Sequence, residues 1–207
     1  YFMINKKGFT LLELVIVIGI LAVLGAVSVM VLNPAQLFAQ ARDTTRIEDV
    51  SVLRNALALY VSTVSAADLD GPGAASCSAS CFVGVAGTGL LCGSRHVGAT
   101  KEDVVTRVVD GTGWIPVNLG DVPGGPALSV LPVDPTNNAT YFYSYACSNT
   151  AKTYELDANL ESTRYCAGGT DDKESKDGGN MNTGSVVSGA CTGTAVYEVG
   201  TDAGLDL

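Results

Sequence analysis

Three sets of residues in this sequence have the type and spacing to do chemistry: one carboxylate inside an apolar run, six cysteines, and an acidic glycine-rich loop. Glu13 stands among Leu11, Leu12, Leu14 and Val15. A carboxylate at membrane depth costs about 2.5–3.5 kcal/mol on insertion scales, so a chain that keeps one there needs a partner for it, and an amine fits. The cysteines, Cys77, Cys81, Cys92, Cys147, Cys166 and Cys191, all follow the apolar run. An even set in an oxidising compartment reads as disulfides. Cys77, Cys81, Cys92 and His96 superficially have zinc-knuckle spacing, but in that compartment bridges are the favoured reading. His96 is the one histidine, with no serine or cysteine motif beside it, so it reads as a structural or exposed residue and no enzyme is expected. The loop from Gly168 to Asn180 offers hard oxygen ligands of the kind calcium takes, without the alternating Asp order of a calcium hand and with Lys173 and Lys176 diluting its charge. Gly84 to Gly89 lacks the Lys-Ser/Thr of a phosphate loop. Asn138-Ala139-Thr140 is a glycosylation tripeptide, a common and weak signal.

The elements that must position these residues begin with the apolar run. From Leu14 to Leu32 the chain is uncharged, and a helix of that length covers roughly 28 Å, the hydrocarbon thickness of a bilayer. Lys6 and Lys7 precede it, which by the positive-inside bias sends everything after Leu32 outward. A secretory signal peptide has a shorter apolar core with its cleavage site after it; here Gly8-Phe9 comes before. Asn33-Pro34 and Gly25 predict a bend or local melting between them. Beyond it Ile47, Val50, Leu53, Leu57, Tyr60, Val61 and Val64 recur at helical spacing, with Arg42, Asp43, Arg46, Glu48, Asp49 and Arg54 as the polar side.

The run Lys6-Lys7-Gly8-Phe9-Thr10-Leu11-Leu12-Glu13-Leu14 resembles the processing site of type IV pilins and type II secretion pseudopilins. The resemblance implies cleavage by a prepilin peptidase between Gly8 and Phe9, N-methylation of Phe9, and pairing of Glu13 with the terminal amine of a neighbouring subunit. It implies residues 1–8 as a leader, for which Met3 is a more natural start than Tyr1. The partners it implies are identical subunits in a helical filament, the peptidase, an inner-membrane assembly platform and the membrane before assembly. The protein would be a membrane precursor first and a cell-surface filament subunit afterwards; the alternatives are a secretion pseudopilin or a tethered binding module that never polymerises.

The rest of the chain reads as one modest domain. Residues 67–113 form a Gly, Ala and Ser-rich connector in which Thr100 is expected to open a short helix. In the region 114–207, Thr140–Ala146 and Thr153–Leu160 read as a hairpin and Ala195–Val199 as a third strand. Leu131-Pro132-Val133-Asp134-Pro135 and the Glu198-Val199-Gly200 ending look similar to the three-stranded domain of major pseudopilins. That likeness implies a structural calcium in the loop after the second strand, at Asp171, Asp172 and Asp177, the one cofactor expected. Cys166 follows the second strand and Cys191 precedes the third, so this pair is expected to close the loop; Cys147 is expected to join Cys77, Cys81 or Cys92, leaving the other two together. The expected fold is α+β: a long helix with an apolar half (9–34) kinked near Gly25–Pro34 and an amphipathic half (35–66), and a small antiparallel sheet packed on the second half. After residue 66 there are 17 acidic against 7 basic residues, which gives no support to a nucleic-acid-binding face.

Overall fold

The structure, a computed structural model, describes residues 8–72, 76–77, 80–85, 92, 95–96, 100–201 and 207, with 100–103 as backbone. The expected leader residues 1–7 and most of the Gly84–Gly89 loop lie outside these. The chain folds as two compact units, Tyr1–Phe38 and Ala39–Leu207.

The first unit holds α1 (Leu11–Leu32) and the opening turn of α2 (Pro34–Thr63). Thr10 caps α1: its hydroxyl accepts from the Glu13 N–H at 3.2 Å while Glu13 Oε2 accepts from the Thr10 N–H at 2.9 Å. This reciprocal box satisfies two of the donors a helix start leaves open. No residue of α1 is buried, and it lies in the one stretch among the described residues long and apolar enough to cross a membrane. Gly25 stays inside α1. The interruption sits at Asn33 alone, in the left-handed region at φ 40°, ψ 75°, because Pro34 lacks the N–H that would continue the ladder and takes the first position of α2.

In the second unit one stripe of α2 is buried: Ala39, Asp43, Arg46, Val50, Leu53, Ala56, Leu57 and Tyr60. The spacing alternates four and three, so Asp43 and Arg46, read from sequence as polar-side residues, lie on the packed side. They are accommodated as an ion cluster. The Arg46 guanidinium grips Asp134 with two bonds of 2.7 and 3.0 Å and reaches Asp43 at 2.8 Å and Glu161 at 2.7 Å. Arg42 adds bonds of 2.6 and 2.9 Å to Glu161, and Asp43 accepts from the Glu161 and Ser162 N–H groups.

The sheet has five strands in the order β2-β1-β3-β4-β7: β1 (Ser80–Val83), β2 (Thr100–Asp103), β3 (Tyr143–Ser148), β4 (Thr153–Ala158) and β7 (Tyr197–Gly200). β1, β3, β4 and β7 are antiparallel neighbours and β2 lies parallel to β1 at the edge. The connector therefore supplies two strands, and Thr100 opens β2 where a helix is expected from its sequence. The capping signal at Thr100 is local, and pairing with β1 outweighs it. Tyr143, Tyr145 and Cys147 of β3 and Tyr154, Leu156 and Ala158 of β4 join Leu53, Leu57, Tyr60 and Trp114 in the main core. Each large apolar side chain contributes roughly 1.5–3 kcal/mol on burial. The tyrosine hydroxyls find partners on or beside α2: Tyr143 donates to Asp49 at 2.9 Å and Tyr154 to the Arg54 carbonyl at 2.7 Å.

Between β4 and β7 the chain forms a second hairpin, β5 (Gly184–Val187) with β6 (Ala190–Gly193). Its turn residues Ser188 and Gly189 have φ of 51° and 78°, the twist that suits a two-residue hairpin. The bridges are Cys166–Cys191, Cys77–Cys147 and Cys81–Cys92. Cys166–Cys191 fastens β6 to the end of the segment after β4 across 25 residues, a closure worth about 3.5 kcal/mol in the chain-entropy account.

Replacing Arg46 by Met keeps its volume but strands Asp43 and Asp134 as buried charges. The loss expected is about 3–5 kcal/mol, read as denaturant unfolding of the full chain in detergent; a loss below about 1 kcal/mol would show that the carboxylates are neutralised some other way.

Candidate functional site

The N-terminal site is built by the first turn of α1. Gly8 and Phe9 precede the cap and are exposed, Phe9 by 87%. A Cβ on Gly8 would meet nothing within 4 Å, so packing inside the chain does not demand glycine there. Glu13 is exposed, and its Oε2 also accepts from the Thr10 hydroxyl at 3.0 Å. Among the described residues Oε1 takes no hydrogen bond. The carboxylate is thus half satisfied by its own helix and half available, at the rim of a cylinder whose other side chains are apolar. A second charge brought to this rim would meet a low-dielectric surface in which ion pairing is strong.

The acidic loop is organised differently. Asp171, Asp172 and Asp177 line a cleft of about 600 Å³ between the loop and β7, with Lys173, Lys176 and Arg54. Asp171 pairs with Lys173 at 2.9 Å, whose bond holds its carboxyl below the usual range. Burial would raise Asp172, but bonds from Ser175 and from the Gly168 N–H outweigh it and hold it low. Asp177 accepts from the N–H groups of Gly179 and Glu198 at 3.0 and 2.8 Å, and burial pushes it up. Each of the three carboxylates accepts from donors of its own loop, and Asp177 also from β7.

The second face of the sheet, which the alternation of β4 predicts to be solvated, is covered. Glu155, Asp157 and Glu198 are fully buried, with Arg95 and His96 beside them. Burial, then the neighbouring Asp157, pushes the Glu155 carboxyl up to about 10; burial pushes Glu198 up to about 8. Arg95 donates to the Phe142 carbonyl, Ser144 and Asn159 rather than to a carboxylate, and burial brings it down to about 10. Among the described residues, His96, Glu155 and Asp157 form the group whose potential ligand atoms converge. Sequence reading missed them: a polar residue alternating with Tyr154 and Leu156 looks the same whether water or a loop lies over it. The zinc-knuckle spacing around His96 has its three cysteines in bridges. Asn138 of the glycosylation tripeptide is exposed, its side-chain oxygen accepting from the Thr140 and Tyr141 N–H groups.

The N-terminal site is thus a membrane-length helix that follows an exposed Gly-Phe step and carries a carboxylate in its first turn. Residues 3–29 match the family model described as the prokaryotic N-terminal methylation motif, the signature of type IV pilins and pseudopilins. No curated protein and no solved structure matches the chain.

Glu174, buried within the acidic loop, accepts from the Leu160 and Ala167 N–H groups at 3.0 and 2.9 Å, yet burial prevails and pushes it up to about 7. Its folded value lies above the ordinary 4.5, so the folded state holds more protons between pH 4.5 and 7 and stability falls as pH rises through that window. The contribution is on the order of 3 kcal/mol. Thermal unfolding at pH 5 and pH 8 should show wild type losing stability and Glu174→Gln losing distinctly less; equal slopes would mean that Glu174 ionises freely in the fold.

Proposed function

We propose that this protein is a structural subunit of a type IV pilus or pilus-like filament. It enters the membrane as a precursor through α1, is cut between Gly8 and Phe9 by a prepilin peptidase, is methylated on Phe9, and polymerises with α1 in the filament core and its acidic unit outside. The observation that carries this reading is an α1 that is apolar from Leu14 to Leu32 apart from Ser28, with none of its residues buried among the described residues, preceded by Phe9 and carrying Glu13 in its first turn. Such a helix needs lipid first and other copies of itself later. In lipid, the Thr10 box satisfies part of the Glu13 carboxylate. In a filament, the amine freed at Phe9 of a neighbouring copy completes it, so recruitment gains an ion pair where a lone carboxylate stood. Gly8 fits the same account, because the chain's own packing leaves it free to be any residue and the requirement falls on the peptidase.

Two variants separate the steps. Gly8→Asp should block cleavage and hold the protein in the membrane fraction as precursor. Glu13→Ala should be inserted and cleaved normally but should lower surface filament by ten-fold or more, because it strands the Phe9 amine of the neighbouring copy, a penalty of about 3–5 kcal/mol for a buried partner. Wild-type filament from Glu13→Ala would remove the assembly role of the carboxylate.

A further inference from the structure

The covered face of the sheet holds a cluster that filament assembly does not use. His96, Glu155 and Asp157 have fully buried side chains, and one potential ligand atom from each lies within 4.8 Å of the others. In each residue one polar atom is held by the protein and the other has no partner among the described residues. His96 Nδ1 lies 3.1 Å from the Leu207 backbone oxygen; that oxygen only accepts, so Nδ1 carries a hydrogen, while Nε2 has no hydrogen-bond partner among the described residues. Glu155 Oε2 accepts from the Leu207 N–H at 2.9 Å, while Oε1 has no partner. Asp157 Oδ2 accepts from the Ser144 hydroxyl at 3.0 Å, while Oδ1 has no partner.

Buried polar atoms without partners cost free energy, and three in one place are unusual in a folded protein. An imidazolium shared between the two carboxylates would be the simplest remedy. The geometry does not favour it: Asp157 Oδ2 is 3.0 Å from Nε2, yet the pair lacks the alignment of a hydrogen bond, and Glu155 Oε1 is 3.7 Å from Nδ1. Arg95, the nearby guanidinium, is committed to Phe142, Ser144 and Asn159.

We infer that His96 Nε2, Glu155 and Asp157 form a buried site for a divalent transition-metal ion, with zinc the best match. One imidazole nitrogen and two carboxylates are a zinc donor set, whereas calcium takes oxygen throughout. Bringing three atoms this close onto one ion at 2.0–2.2 Å needs shifts on the order of an ångström or less. The second atom of each residue is already fixed as metal ligands usually are, the histidine by giving its other N–H to a backbone carbonyl. The ion would join β4 to His96 and Leu207 and seal the second face of the sheet.

The test uses the full chain in detergent, free of any tag, stripped with a chelator and titrated with zinc alone. One zinc per chain is expected, with a raised unfolding temperature, and X-ray absorption at the zinc edge should show one imidazole with oxygen ligands and no sulfur. His96→Gln and Glu155→Gln should each weaken zinc binding by about 100-fold or more, while Asp171→Asn binds as wild type. In chelator the Glu155→Gln chain should be at least as stable as wild type, since the amide keeps the side chain's volume and, like the buried carboxyl, carries no charge. Stripped wild type that takes up no zinc, a zinc shell without imidazole, or undiminished binding by a folded Glu155→Gln chain would each overturn the site; if a variant does not fold, the wild-type stoichiometry and zinc shell decide alone.

Discussion

The constraint on which the rest depends is that no residue of α1 is buried among the described residues. Water would meet Val15, Ile16, Val17 and Ile18 all round the helix, at roughly 0.8 kcal/mol for each methylene left wet, so α1 is stable only in lipid or against other apolar helices. One carboxylate in such a surface then acts as a specificity device, because a charge that must be matched fixes which partner fits and at what depth. The Thr10 box lets Glu13 wait in the membrane without a partner. It does so with Oε2 alone, leaving Oε1 for whatever arrives.

The second unit solves the opposite problem, a chain rich in carboxylates that must fold around a core. Some are neutralised by cations, as in the Arg46 cluster. Others are capped by backbone N–H groups, as Asp172, Asp177 and Glu174 are. A third set, on the covered face of the sheet, is relieved on one oxygen only, Glu155 by the Leu207 N–H and Asp157 by the Ser144 hydroxyl, and it is there that the unspent ligand atoms accumulate. The bridges tie this unit at places where glycine-rich chain contributes little packing: Cys166–Cys191 anchors the small hairpin, and Cys77–Cys147 holds the segment before β1 to the end of β3.

Much of the architecture was legible because it rests on strong periodic signals. The apolar run gave α1, the tyrosine alternation gave β3 and β4, and the α+β class followed. Element ends were less legible: Gly25 is a poor helix former in water but costs little in an apolar run, so the break fell at Pro34's neighbour Asn33. β1 and β2 were hidden because Ser80–Val83 and Thr100–Asp103 are short and gain their strand character from long-range pairing. The buried ions were partly legible, since the four-three spacing of the α2 stripe runs straight through Asp43 and Arg46; charge type was allowed to override period. Glu155 and Asp157 left no such trace, because only the fold decides what covers the far side of a sheet. At the N-terminus the reverse holds: Gly8, Phe9 and Glu13 were plain in the sequence, and the structure adds the Thr10 box and the absence of any internal demand for glycine.

The central claim is that α1 begins at a processed Phe9 in the assembled protein. Mass spectrometry of material sheared from the cell surface addresses it directly. The account predicts an N-terminal peptide starting at Phe9 and carrying one added methyl group; an intact peptide running through Lys7-Gly8-Phe9 in assembled filaments would contradict it.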